Sequence, residues 1–309
     1  PMFTAAEAAE KLQPLIDWSR VGRAAELSAP ANRLSALCEH LRQRERPRML
    51  FDLCDRAAAA AHVRRAHGEQ AERFVLDGER RMTAIGSRRR AEYLQALAFA
   101  YILTGREDYV ARRIELADDD LPLLCDDDGA LRVARKGTDL QASGSLAAML
   151  HFFGATRDAA AWTEASVGWF LYRMVDRLRY LTAPHPSQFL WHNIYLANVS
   201  MRHRLAVSFP ELADADAVAA ETLEQLETAA TLQARPDGTQ VEQSPSYHSV
   251  SLHHLCWPAL LRRRNGLEVS AGYLDTIRRM AGVMQAWQTP AGRVPPVSDS
   301  FPVDVGHAL

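Results

Sequence analysis

Pro236-Asp237-Gly238-Thr239-Gln240-Val241-Glu242-Gln243-Ser244-Pro245-Ser246-Tyr247-His248 is a turn and a polar hinge that open directly onto a helix. Asp237-Gly238 carries turn chemistry, Ser244 offers an N-cap oxygen, and Pro245 suits the first helical position, where a missing N–H is no loss. Those four residues account for the local conformation. They leave Glu242, Tyr247 and His248, a carboxylate, a phenol and an imidazole, beside a helix N-terminus whose unpaired N–H groups favour negative charge. One stretch thus sets a helix boundary and marks a candidate site.

On both sides the sequence reads as helix, with apolar residues returning at three- and four-residue steps and little strand alternation. Downstream, the spacing predicts helices from Pro245 to Arg264, with Asn265-Gly266 as C-cap material, and from Ser270 to Gln288, before Pro290-Ala291-Gly292. Upstream it predicts Asp214 to Leu232, then a helix opening near Ser187 and ending before Phe209-Pro210-Glu211. A longer one spans Asp158 to Leu181, with Trp162, Phe170, Met174 and Leu178 on its apolar face and Pro184-His185-Pro186 at its end. Arg33 to Arg44, Met49 to Arg65 and Arg90 to Leu103 are amphipathic candidates, with Gly105 as a stop for the last. Asp118-Asp119-Asp120, Asp126-Asp127-Asp128-Gly129 and Lys136-Gly137-Thr138-Asp139 interrupt this texture; the acidic runs lack the spaced ligands of a calcium loop and read as solvated loops.

Short links between long helices make sequential neighbours antiparallel, so the expectation is an all-α array of helical hairpins. Helix count does not choose among bundle, solenoid and ring, although the lack of a fixed-period repeat disfavours a solenoid. The chain has 309 residues, 48% hydrophobic and 24% charged, with a formal net charge of -2, which gives no global attraction to nucleic acid. No apolar run reaches the roughly 18 residues of a membrane span, and the first residues lack the pattern of a secretion signal. Compartment stays open: periplasmic or extracellular if a leader was removed, otherwise cytoplasmic. Cys38, Cys54, Cys125 and Cys256 have no paired spacing and read as buried small hydrophobes. No cofactor is called for, and His248, His253 and His254 lack the HExxH spacing of a zinc helix.

The second concentration of chemistry is Gln188-Phe189-Leu190-Trp191-His192-Asn193-Ile194-Tyr195. A buried imidazole or amide left without partners costs about 1–3 kcal/mol, so His192 and Asn193 either face a polar cleft or are satisfied internally.

Together these segments resemble the heparinase II/III-like polysaccharide lyases and related alginate lyases. Asp237 to His248 is similar to that family's DG…E.SP.YH signature. Trp191-His192-Asn193-Ile194-Tyr195-Leu196 with Phe209-Pro210-Glu211 resembles its Asn-bearing helix and FPE turn. Pro290-Ala291-Gly292-Arg293-Val294-Pro295-Pro296-Val297-Ser298-Asp299-Ser300 resembles its PDG.iP.iGDSD stretch. The similarity spans roughly residues 160 to 300. Two departures stand out: the His192-Asn193 order is reversed relative to several relatives, and Ser298 stands where the family usually has Gly.

The resemblance implies an incomplete (α/α) toroid over residues 1–309, one domain cut from a longer chain whose C-terminal β-sandwich lies outside this sequence and completes the site, in relatives with a histidine. It also implies β-elimination on an acidic, uronate-containing polysaccharide. In that scheme Asn193, helped by His192, neutralises the substrate carboxylate as charge develops on it. Tyr247 is the acid and base, given nearby positive charge to lower its pKa from about 10, with the helix start and His248 supplying part of that charge. Glu242 orients Asn193 or His192 or meets substrate. Trp191, Tyr195, His254 and Trp257 are further candidates for contact with sugar. A glycoside hydrolase on the same ring, using Asp237 and Glu242, and a noncatalytic glycan-binding or assembly module are the alternatives.

Overall fold

In the computed structural model the described residues are 3–50, 56–82, 90–120, 122–126, 129–132, 138–184, 192–301 and 303–304. They form twelve α-helices: α1 (Ala5–Leu12), α2 (Pro30–Gln43), α3 (Arg56–His67), α4 (Gln70–Met82), α5 (Arg90–Thr104), α6 (Glu107–Asp120), α7 (Thr138–Thr156), α8 (Glu164–Thr182), α9 (Asn193–Ser208), α10 (Ala215–Gln233), α11 (Pro245–Arg264) and α12 (Ala271–Ala286). Among these residues the extended structure is limited to isolated bridges and one two-stranded ribbon, in which β1 (Arg293–Val294) pairs antiparallel with β2 (Val303–Asp304). The all-α expectation holds.

The boundaries follow local chemistry. A capping box opens α1: Thr4 Oγ1 accepts from the Glu7 N–H at 3.2 Å, while a Glu7 carboxylate oxygen accepts from the Thr4 N–H at 2.8 Å. At the end of α5, Gly105 adopts φ +72, the left-handed C′ conformation. The α8 start lies later than Asp158, because the Thr163 and Ser166 hydroxyls exchange hydrogen bonds with each other's backbone N–H and fix the entry there. Two loop readings are corrected. Asp118 to Asp120 closes α6, and Thr138-Asp139 begins α7, where an acidic residue in the first turn suits the helix dipole. The helix opening expected from Ser187 starts at Asn193; residues 187 to 191 lie outside the described residues, as do 51 to 55 at the front of α3.

The contacts group the chain into two compact units of discontinuous segments: residues 1–133, 144–180 and 209–213, and residues 134–143, 181–208 and 214–309. In the first unit, helices approach closely where glycine allows it. A Cβ on Gly78 of α4 would lie 2.5 Å from Ala100 Cβ of α5, and one on Gly168 of α8 would lie 2.6 Å from Ala8 Cβ of α1. The Phe209-Pro210-Glu211 turn is a buried anchor. Glu211, 3% exposed, accepts from Arg44 Nη1 at 2.7 Å and from His40 Nε2 at 2.8 Å, and the Arg44 guanidinium lies 4.8 Å above the Phe209 ring. Burial alone would raise the Glu211 pKa, but the His40 and Arg44 hydrogen bonds hold it below the usual carboxylate range. The backbone joins in, since Glu211 C=O accepts from Asp17 N–H at 2.8 Å.

In the second unit α9 is the central element, buried from Leu196 through Ser208 and packed by α10 and α11. Leu196 and Val199 meet Leu226, Leu252, Leu255, Met280 and Met284 in one apolar cluster, to which Val294 and Val303 of the ribbon also belong. Several polar residues along α9 have partners in this unit: Arg202 donates to Glu221 and Gln225, His203 pairs with Thr222, and Asn198 bonds Asp139 and Ser143.

Candidate active site

The turn after α10 is built on glycine. Gly238 has φ +88, and a Cβ there would lie 2.6 Å from the carbonyl oxygen of Arg279 on α12, so both conformation and space demand its absence. Asp237 Oδ1 accepts from the backbone N–H and hydroxyl of Thr239 at 2.9 and 2.7 Å, and these bonds hold its pKa below the usual range. A carboxylate so stabilised is ill suited to be the protonated acid of a hydrolase. An isolated bridge between Ala234 and Gln240 closes the turn.

That closure delivers Glu242 to the start of α9. The Asn193 backbone N–H donates to Glu242 Oε1 at 2.8 Å and the Asn193 amide to Oε2 at 2.8 Å. Gln240 adds a third donor, with Nε2 3.2 Å from Oε1, and accepts from the Glu242 N–H at 2.8 Å. Gln233 completes the frame by donating to the His192 carbonyl at 3.1 Å. The negative charge of Glu242 therefore sits on a helix N-terminus, held by neutral donors. Asn193 is 7% exposed, and its amide nitrogen lies 2.8 Å from Glu242 Oε2 and 3.2 Å from Oε1. His192 caps the same helix: its Nδ1 accepts from the Ile194 N–H at 3.2 Å, which puts the neutral imidazole proton on Nε2. Nε2–H is then a hydrogen-bond donor and not a base.

Tyr247 stands in the first turn of α11, capped by Ser244 as expected. Its hydroxyl donates to Asp299 Oδ2 at 3.2 Å. The segment bearing Asp299 is fastened to the same helix start: Ser244 Oγ donates to the Asp299 carbonyl at 2.7 Å, and the Ser246 N–H donates to Ser300 Oγ at 3.0 Å. Ser298, at the position where glycine is usual, has φ +60, which explains that preference. The expected positive surroundings of Tyr247 are corrected: the nearby Asp299 charge first, then burial, then Glu242 push the phenol pKa up.

Four other expectations change. His248 is 1% exposed; its Nδ1 accepts from the Gln240 N–H at 3.2 Å and its Nε2 donates to the Met280 carbonyl at 2.9 Å. Burial lowers its pKa, so it is a neutral internal tie supplying neither charge nor substrate contact. Tyr195, two residues beyond Asn193 and so about 200° around the helix, packs against the apolar cluster instead of beside the amide. His254 follows Tyr247 by two turns, about 10 Å along α11, and its pKa is pushed down to about 3 by burial and by Arg204 and His253. Trp257 has the Arg204 guanidinium 4.3 Å from its ring centre, so that face is occupied. Trp191 lies outside the described residues. A cavity of about 470 Å³ borders the turn, between Arg235, Thr239 and Trp287, but neither Asn193 nor Tyr247 lines it.

Sequence comparison adds the decisive finding. Residues 87–308 match the family model described as Heparinase II/III N-terminus. The chain belongs to the heparinase II/III family. No curated protein matches the sequence. Among solved structures, the heparan sulfate lyase HepC of Pedobacter heparinus is 20% identical with a TM-score of 0.67, covering 96% of this chain and 51% of its own. Heparinase III gives 16% identity and a TM-score of 0.69, covering 94% and 50%, and the structure titled Heparinase III-BT4657 gene product gives 18% and 0.67, covering 96% and 51%. The likeness carries the fold, an all-α incomplete toroid of this polysaccharide lyase family, and the chain spans about half the length of the solved structures it matches.

Among the described residues, no group of three or more His, Cys, Asp or Glu side chains is arranged to hold a metal, and no helix is long and apolar enough to cross a membrane. Cys38 and Cys125 are buried and Cys256 half-buried, all three free; burial pushes their thiols up to about 12, 11 and 11. Cys54 lies outside the described residues. Gln233, Gln240 and Asp299 carry roles that sequence reading missed. Asp299 was visible in the quoted C-terminal stretch, but nothing local tied it to Tyr247.

Proposed function

We propose that this chain is the helical half of a polysaccharide lyase that cleaves an acidic, uronate-containing glycan by β-elimination. The observation that carries the reading is the Glu242 bridge: one short segment anchors Asn193 at the start of α9 and leads five residues later into Tyr247 at the start of α11. Asn193 Nδ2 and His192 Nε2–H are donors suited to the substrate carboxylate, on which charge accumulates as the C5 proton leaves. A general base takes the C5 proton, the electron pair of that C–H bond forms the C4=C5 double bond, the C4–O4 bond breaks with its pair going to O4, and O4 takes a proton from Tyr247. The remainder of the protein contributes the facing wall of the site.

The test is incubation of the full-length protein with heparan sulfate, hyaluronan, alginate and bacterial uronans while following ultraviolet absorbance of the unsaturated product. Absorbance should rise on at least one glycan, and Tyr247→Phe should lower turnover by about 100-fold or more with binding retained. New reducing ends without absorbance would instead indicate hydrolysis, and binding without either signal a noncatalytic module.

A further inference from the structure

The loop between β1 and β2 does more than close a ribbon. It is fixed to the first turn of α11 by two hydrogen bonds that spare the Tyr247 side chain, from Ser244 Oγ to the Asp299 carbonyl and from the Ser246 N–H to Ser300 Oγ. Ser298 accepts a left-handed backbone, φ +60, immediately before Asp299, and the Ser300 N–H returns to the Ser298 carbonyl at 2.9 Å. A non-glycine residue in that conformation is held there by its surroundings. The result is a carboxylate whose backbone is fastened on both sides and whose Oδ2 receives the phenol hydrogen bond. We infer that Asp299 is a positioning residue for Tyr247, orienting the phenol so that its hydroxyl enters the elimination as the proton donor to the leaving oxygen.

The inference rests on the lyase reading and narrows it. Tyr247 was assigned both acid and base work. Among the described residues the charged groups facing it are Asp299, from the loop after β1, and Glu242, from the turn before α11, and both favour the neutral phenol. A phenol that begins neutral has a proton to give and no lone pair basic enough to take one from C5. The balance is then complete only with a separate acceptor: the C5 proton passes to a general base other than Tyr247, C4=C5 forms, C4–O4 breaks, and the Tyr247 proton turns from Asp299 Oδ2 to O4. The resulting phenolate regains its proton from that base or from water. His192 does not meet the need, since its Nδ1 is engaged by the Ile194 N–H and its Nε2 bears the proton.

The experiment uses the full-length protein with 13Cζ-labelled tyrosine, the Tyr247 signal being assigned by its loss in Tyr247→Phe. In Asp299→Asn the Tyr247 titration midpoint should move to lower pH, with the alkaline limb of kcat/KM moving in the same direction, and Asp299→Glu should restore part of both shifts. A Tyr247 midpoint unchanged in Asp299→Asn, with far-ultraviolet circular dichroism showing the fold intact, overturns the inference even if elimination is measured. A shifted midpoint in a protein that produces no unsaturated product on any uronate glycan overturns the assigned step through failure of the lyase reading itself. If Asp299→Asn does not fold, Asp299→Glu decides the question alone through the displacement of its midpoint from wild type.

Discussion

Two glutamates, Glu211 and Glu242, each hold distant segments of their own unit together, and they do so by opposite means. Glu211 is 3% exposed and answered by the cations or potential cations Arg44 and His40. Glu242 is partly buried and answered by neutral donors, the Asn193 backbone and amide and the Gln240 amide. The first is a closed account of charge, which suits scaffold. The second leaves a negative field at the mouth of α9 beside Tyr247, which suits a place where protons move.

The largest expected effect comes from breaking the closed pair. Glu211→Gln removes the carboxylate charge that Arg44 and His40 answer in a buried place, and chemical denaturation should show a loss of about 3–5 kcal/mol. The double variant Glu211→Leu with Arg44→Met removes both charges and should recover most of that loss, which a purely geometric role for Glu211 would not permit. Next comes Gly238→Ala, which places a methyl against the Arg279 carbonyl at a left-handed position. A drop of about 1–3 kcal/mol is expected, along with reduced turnover, because the same turn aims Glu242.

Glu242→Gln comes third and sharpens the contrast. The amide oxygen still accepts from one Asn193 donor while its NH2 faces the other, so stability should fall by about 1–3 kcal/mol while kcat changes more than KM; an equal loss in both units' carboxylates would erase the distinction. The smallest effect concerns pH. The folded pKa of Glu211 lies below its ordinary value, so its contribution is fully present above the usual glutamate range and fades as pH falls through the folded pKa. Acid unfolding of the double variant that lacks both charges, Glu211→Leu with Arg44→Met, should therefore begin at lower pH than in wild type.

Much of this was legible in the sequence because it is local. Ser244, Pro245 and Gly238 act within a few residues of themselves, and their turn, cap and helix start appear where the sequence puts them. The helices from Ala215 onward match for the same reason, since strong boundary residues flank long apolar periods. What stayed hidden depends on distant partners. His248 looked like a source of positive charge because nothing nearby announces the Met280 carbonyl, 32 residues on, that accepts its Nε2–H. Asp299 is 52 residues from Tyr247, and only packing of the ribbon loop reveals the pair. Thr138-Asp139 resembled a loop because a threonine and an acidic residue serve equally at a turn or in the first turn of a helix.

The enclosure of α9 has a consequence in time. Its amides from Leu196 to Ser208 have no solvent-facing side, so their exchange with deuterium must await opening of the unit as a whole, whereas Asn193 is reached by releasing Glu242 alone. A slow clock and the candidate carboxylate-binding amide are thus wound on the same helix, three residues apart.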